Sequence, residues 1–292
     1  MKTIDPEQLS IGEMHSYLLG GVVPRPIAFA STVDKNGSVN LSPFSYFNCF
    51  SVNPPILIFS PARRGRDNTT KHTYENVLEI KEVVINMVDF SMVEQMSLAS
   101  TEYERGVNEF EKAGFTQVDS VRIRPPRVGE APIAFECRVN DVVSLGEQGG
   151  AGNLVICEVL LMHISDKVMD ENGKIDPHKL DMVARLGGNY YARITPDSLF
   201  EIPKPLKSRG IGIDQLPPEI RESTILTGNE LARLANVDTI PAVNPKMQEE
   251  LGALFSNILD SELKDRLQHM ASGFLARGEV ERAWQCLLFG RR

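Results

Sequence analysis

From Ile27 the chain alternates apolar and small polar residues as IAFASTV, turns at Asp34-Lys-Asn-Gly37 and resumes as SVNLS. Alternation of period two predicts strands, and Asn and Gly accept the positive φ of a tight turn, so a β-hairpin is expected. Asn53-Pro-Pro-Ile reads as a strand start, since proline begins a strand or sits at its edge, and the apolar run 56–59 is expected to be buried on both faces. Residues 70–81 place Tyr74, Val77, Leu78 and Lys81 at helical spacing, and 82–88, with Val83-Val84-Ile85, predict another strand. Ser91 with Glu94, and Thr101 with Glu104, have capping-box spacing and predict two short helices, the second stopped at Gly114.

Beyond Pro125-Pro126, residues 132–145 and 153–165 predict two long strands joined by the glycine-rich stretch 146–152. Those glycines lie between two strands, whereas a dinucleotide fingerprint needs a strand followed by a helix, so they predict a hairpin connection. After Pro203 the β-branched alternation disappears and residues 228–236, 245–259, 262–275 and 279–288 read as successive helices. Met247, Leu251, Leu254, Phe255, Ile258 and Leu259 fall on one helical face, which gives that segment something to bury. A boundary is expected between 203 and 218, with the tail forming either a small helical domain or an arm on a partner subunit.

Composition narrows the function classes. A chain of 292 residues with 42% hydrophobic content is globular and can bury a sizeable core. A formal charge of −8 argues against nucleic acid as a partner, although a local basic loop can still hold one phosphate. No apolar run approaches the roughly 20 residues of a membrane helix, and the N-terminus lacks a basic flank followed by an apolar core, so no membrane association and a cytoplasmic location are expected. The four cysteines lack CxxC spacing and read as reduced, mostly buried thiols. The five histidines form no HExxH or carboxylate cluster, so no metal is expected, and without a GxSxG elbow an esterase is set aside.

Two segments carry the chemistry. Ser31, Thr32, Ser42, Ser45, Asn48 and Ser51 alternate with Phe44, Tyr46, Phe47 and Phe50, a mixture that suits either a half-exposed sheet or the rim of a flat aromatic cofactor with a polar tail. Next comes Ser60-Pro-Ala-Arg-Arg-Gly-Arg-Asp-Asn-Thr-Thr-Lys71-His-Thr73, where four cations precede a helix. Unpaired N–H groups at a helix start, together with arginine forks, make an anion site; the alternative is a solvated basic loop.

Three blocks in order, PRPIAFASTVDKNGSVNLSPFSYFN running into NPP, the Arg-rich loop with Lys71-His-Thr73-Tyr-Glu-Asn76, and Arg185-Leu-Gly-Gly-Asn-Tyr-Tyr191, resemble the flavin reductase-like proteins over about residues 14–200. The resemblance implies a mainly β (α+β) fold, an FMN-binding split β-barrel with peripheral helices over 1–203, followed by a C-terminal α-helical extension over 204–292. It implies a homodimer binding FMN, sometimes FAD, with the ring held by Thr32, Ser45 and Asn48 and also Ser42 and Phe44. Arg25 would reach the cofactor or serve the dimer. The phosphate would lie on Ser60, Arg63, Lys71 and Thr73, with Arg66 and Thr70 nearby. Gly187-Gly188 would approach the ring, and Tyr190 and Tyr191 would stack on it or pack in the core. His72 stands where the family often has Asp, which removes a carboxylate from beside the phosphate or turns the residue toward substrate. The implied function is an FMN-dependent oxidoreductase with NAD(P)H as transient donor and a small-molecule or protein acceptor; the alternative is a flavin-binding carrier, sensor or partner-regulated module. No catalytic side chain is singled out, because the flavin carries the redox chemistry.

Overall fold

The computed structural model describes residues 1–202, 209–256 and 258–289, which fall into two compact units, 1–200 and 201–292. The boundary expected at Pro203 lies outside the described residues.

The first unit is organised by one antiparallel sheet. The expected hairpin forms β1 (Ala28–Val33) and β2 (Val39–Phe44), paired from Ala28↔Phe44 to Val33↔Val39. Its turn is tied by Asp34, whose Oδ1 accepts the N–H groups of Asn36 and Ser38 at 2.8 and 2.9 Å, while Gly37 takes φ +84°. β3 (Phe47–Val52) and β4 (Pro55–Phe59) follow, with Asn53-Pro54 in the turn and Pro55 opening β4. Helix α1 (Ile11–Gly21) precedes the sheet, and α2 (His72–Ile80) leads into β5 (Glu82–Asn86) through Lys81 in the left-handed conformation. The short α3 (Val93–Leu98), α4 (Glu109–Ala113), β6 (Gln117–Val118) and β7 (Arg127–Val128) come before the two long strands, β8 (Ile133–Ser144) and β9 (Asn153–Ile164). A small ribbon of β10 (Val183–Arg185) and β11 (Tyr191–Arg193) closes the unit.

The strand order of the main sheet is β2-β1-β5-β8-β9-β4-β3. Its two edge strands are consecutive in the chain and joined only by Ser45 and Tyr46. Flat, the edges of seven strands stand about 29 Å apart, whereas the three peptide steps from Phe44 to Phe47 reach at most about 11 Å. The sheet must therefore curl on itself with its split between β2 and β3. Inside pack Ala28, Ala30, Phe44, Leu57, Phe59, Val83, Ile85, Cys137, Val155 and Cys157; outside, Phe29 and Leu41 pack under Met92, Met96 and Phe110. β1 is buried at all six positions, which explains its small residues: Ala28 and Ala30 fill the tapering interior while Phe29 faces the helices.

Several expectations need correction. Only Leu57 and Phe59 of the run 56–59 are buried, because β4 has one face toward the interior. Neither expected capping box forms: Asp89 caps a 3-10 turn before α3, and Asn108 caps α4, although Gly114 ends α4 as expected with φ +71°. The second unit contains α5 (Pro218–Arg221), α6 (Gly228–Ala235), α7 (Pro245–Leu254), α8 (Asp260–Ala276) and α9 (Val280–Leu287) around its own core of Leu216, Leu234, Leu251, Phe274, Leu275 and Trp284. α7 stops at Leu254 rather than running to 259; Leu251 is buried, but Leu254 and Leu259 are exposed. No described helix is long and apolar enough to cross a membrane.

Candidate functional site

The split between β2 and β3 opens into a groove of about 400 Å³. Its floor is Ser42, Pro43, Phe44, Ser45 and Tyr46, the end of β2 and the two residues that cross the seam; its far wall is Ser60 and the loop from Ala62 to Arg66, with Lys71. His15 and Leu19 of α1 line the other side. Of the residues singled out by sequence, Ser42, Phe44, Ser45, Ser60, Arg63 and Lys71 meet here. Thr73 lines a small inner cleft that shares Ser42, Arg64, Lys71, Ser100 and Glu102 with the groove, and its Oγ1 accepts the Asn40 amide at 2.9 Å.

The cations converge on Glu102, and one of them, Lys71, opens α2. Lys71 is the N-cap of α2 and no side chain caps that end, so the first N–H groups of the helix are left for another acceptor. Glu102 lies opposite: Arg64 Nε donates to its Oε1 at 2.9 Å, Lys71 Nζ to the same oxygen at 3.2 Å, and Arg66 Nη2 to Oε2 at 3.0 Å. Those bonds, from Arg64 and then Lys71, hold the Glu102 carboxyl down to about 2. Asp67 is likewise held at about 2, chiefly by the Thr69 hydroxyl and backbone N–H. His72 is displaced below its ordinary pKa, first by burial and also by Arg64, Arg105 and Lys71, which favours the neutral imidazole. It lines two small clefts rather than the open groove.

The glycine-rich connection between β8 and β9 supports this loop from behind. Gly150 N–H donates to Arg63 C=O, and Arg63 N–H to Ala151 C=O. A Cβ on Gly149 would lie 3.0 Å from the Arg64 carbonyl, and one on Gly152 only 2.7 Å from Ser60 Oγ. Its glycines thus permit close backbone packing against the cation loop. Ser60 is fixed there, its Oγ accepting the Asn153 N–H at 3.0 Å.

Other residues with sequence-based roles stand elsewhere. Thr32 is fully buried and its hydroxyl accepts from Asn76 Nδ2 at 3.1 Å, tying β1 to α2. Asn48 is exposed on β3, with Oδ1 turned to the N–H of Cys49 at 2.8 Å. Arg25 is buried and donates to the carbonyls of Leu19, Val22 and Leu186, so it satisfies the C-terminal end of α1 and anchors the Arg185 segment; only its Nε approaches the groove, 3.4 Å from Ser45 Oγ. Gly187 approaches the backbone of Gly20, where a Cβ would lie at 3.0 Å. Tyr191 packs against the core under α3 and α4, with the Arg185 guanidinium 4.6 Å from its ring centroid, while Tyr190 is exposed. Arg63 lines the groove, but its guanidinium is engaged by Asn68 Oδ1 and C=O, both at 2.7 Å. Nothing local in the sequence marks Glu102, which tertiary packing brings 38 residues back to Arg64.

Glu109 closes the inner cleft, nearly buried, with Oε2 accepting the Leu41 N–H at 2.9 Å. Burial raises its carboxyl above the ordinary 4.5, and the Leu41 N–H offsets that only partly. A raised folded-state pKa gives stability that is full below the unfolded value and is lost as pH rises through the folded one. Glu109→Gln removes that loss, so its Tm relative to the parent should increase as pH rises above the ordinary carboxylate range in paired thermal melts. An advantage that stays constant with pH would show that Glu109 ionises as freely in the folded chain as in the unfolded one.

Taken together, the groove offers an aromatic and prolyl floor, hydroxyls at its edge and a cation-ringed helix start at one end, a donor set that fits a flat ring with a phosphate tail. Residues 19–179 match the flavin reductase like domain family. An uncharacterised protein of Aquifex aeolicus is 40% identical over 180 residues, 62% of this chain and 89% of its own length. Among solved structures, nitrilotriacetate monooxygenase component B from Bacillus cereus is 31% identical with a TM-score of 0.65, covering 69% of this chain and 98% of that one. The 2-nitrobenzoate 2-nitroreductase of Pseudomonas fluorescens is 28% identical with a TM-score of 0.62, covering 72% and 100%. With a family match through more than half of its length and a curled sheet whose seam carries the groove, the chain belongs to the flavin reductase like domain family of oxidoreductases built on an FMN-binding split barrel.

Proposed function

We propose that the chain binds FMN in the seam groove and reduces it with NADH or NADPH for an acceptor that is a small molecule or a partner protein. The observation that carries this reading is the convergence of Arg64, Arg66 and Lys71 on Glu102, with Lys71 at the uncapped start of α2, in a groove also lined by Pro43 and Phe44. When bound, FMN supplies the hydride-accepting ring. Lys71, Arg64 and the first N–H groups of α2 hold its phosphate, Ser42, Ser45 and Ser60 offer hydroxyls to its polar edge and chain, and Phe44 with Pro43 limits water beneath the ring. The groove is open, which leaves room for a nicotinamide to lie over a held ring without a second nucleotide-binding fold. The similarity to a monooxygenase component and to a nitroreductase supports two acceptor classes, a partner monooxygenase and a nitroaromatic compound.

A homodimer is part of the proposal. α1 buries none of its residues and leaves Ile11, Tyr17 and Leu18 exposed, and the edge strand β3 exposes Phe50 and Val52. A helix held mainly through its C-terminal end leaves these apolar side chains uncovered, so both surfaces favour a second copy. Purified protein should take up one FMN per chain and bleach at the flavin absorbance maximum when NADH or NADPH is added anaerobically. Failure to bind FMN would overturn the reading. FMN binding without bleaching by either nicotinamide would instead favour the carrier or partner-regulated alternative, which the separate helical unit also supports.

A further inference from the structure

We propose that Glu102 is a built-in stand-in for the cofactor phosphate: its carboxylate holds the phosphate-binding cations together until FMN arrives and is then displaced. The inference rests on the FMN reading above and adds a residue that opposes binding in place of one that promotes it. Both oxygens of the carboxylate are taken, Oε1 by Arg64 and Lys71 and Oε2 by Arg66, at 2.9, 3.2 and 3.0 Å. Glu102 is about two-fifths exposed at the junction of the groove and the inner cleft, so it lies where a ligand meets the same donors.

The competition follows from charge. Three cations against the carboxylates of Glu102 and Asp67 leave a surplus of one positive charge, which becomes two, a match for a phosphate dianion, only when Glu102 turns away. Arg64 Nε and Lys71 Nζ cannot keep charge-assisted bonds to Glu102 and give the same protons to phosphate. A carboxylate left about 4 Å from a dianion would also repel it strongly in this half-shielded site. The other charged groups facing the cluster do not substitute for Glu102. Asp67 bonds Arg66 and the Thr69 hydroxyl, Glu109 is buried on Leu41 N–H, Glu75 is engaged by Arg105 and Thr70, and His72 is displaced toward neutrality. In the absence of cofactor Glu102 stabilises the loop from 63 to 71 by neutralising part of its self-repulsion; with cofactor it must turn outward to solvent.

Glu102→Gln separates these two effects, because it keeps size and polarity and removes only the charge. Full-length protein stripped of flavin is titrated with FMN and with riboflavin, read by flavin fluorescence, and melted with and without inorganic phosphate. The variant should bind FMN about tenfold more tightly, bind riboflavin within about twofold of the parent, melt lower than the parent without ligand, and regain more of its Tm than the parent does on adding phosphate. Glu102→Ala should repeat the pattern, showing that charge and not the new amide is responsible. Unchanged or weaker FMN binding by Glu102→Gln, or tighter binding of riboflavin to the same degree, overturns the proposal while leaving the FMN reading intact. If neither parent nor variant distinguishes FMN from riboflavin, the phosphate site itself is refuted, and the role of Glu102 with it.

Discussion

Lys71→Met should weaken FMN binding about ten- to hundredfold and leave riboflavin binding within about twofold. Lys71 is the N-cap of α2 and lines both the groove and the inner cleft, and its side chain is one-third exposed, with Nζ on Glu102. Methionine keeps the length and apolar packing of the stem, so the loss is confined to one charge-assisted hydrogen bond, worth about 1.5–3 kcal/mol. Each 1.4 kcal/mol is tenfold in affinity, which sets the range. Riboflavin has the same ring and no phosphate, so the ratio of the two dissociation constants isolates the contact. Arg63→Met should behave differently. Its guanidinium is already held by Asn68 at 2.7 Å, and Asn68 Nδ2 in turn donates to Glu147 C=O, so its removal loosens the loop and weakens both ligands together. Equal losses for FMN and riboflavin in Lys71→Met would assign Lys71 to the loop rather than to the phosphate.

That contrast also marks how far the sequence could be read. The cation cluster ahead of a helix was legible because the chemistry is local: four cations within nine residues, followed by helical spacing, describe an anion site wherever the fold puts it. Which cation is free for a ligand was not local. Arg63 and Arg64 are adjacent in sequence, but one is turned back to Asn68 and the other out to Glu102, and only the packed loop decides between them. The placement of the β1 hydroxyls was not local either. Alternation identifies two faces but not which is wanted, and in a strand buried on both sides Thr32 served the junction with Asn76 while Ser45, just beyond β2, reached the groove. The resemblance left Arg25 between cofactor and dimer and Tyr191 between ring and core; in the folded chain Arg25 and Gly187 meet the end of α1 and Tyr191 packs against the core. The missed helix starts have a similar origin: Ser-x-x-Glu spacing is satisfied by many turns, and Asp89 and Asn108 reached the orphan N–H groups first.

Leu275→Ala should lower the melting temperature of the helical unit by about 10 °C or more while leaving FMN affinity and flavin release on heating unchanged. Leu275 is fully buried in a core whose members all lie beyond residue 201, with Phe274 beside it in sequence and Trp284 in the same cluster. Truncating a buried leucine costs about 2–5 kcal/mol, and a unit of this size has about 5–14 kcal/mol in total, so the variant stands near its folding threshold. Trp284 is the only tryptophan of the chain and is itself buried with Nε1 donating to Leu234 C=O at 3.1 Å, so its fluorescence reports this unit alone. Flavin fluorescence reports the other. Because each core cluster of the described residues is built within a single unit, the tryptophan signal should fall first and the flavin signal should stay at its parental temperature. Simultaneous movement of both signals would mean that the helical unit and the barrel unfold as one body. The helical unit would then belong to the flavin-binding machinery, and the reading of it as a separable partner-facing module would fail.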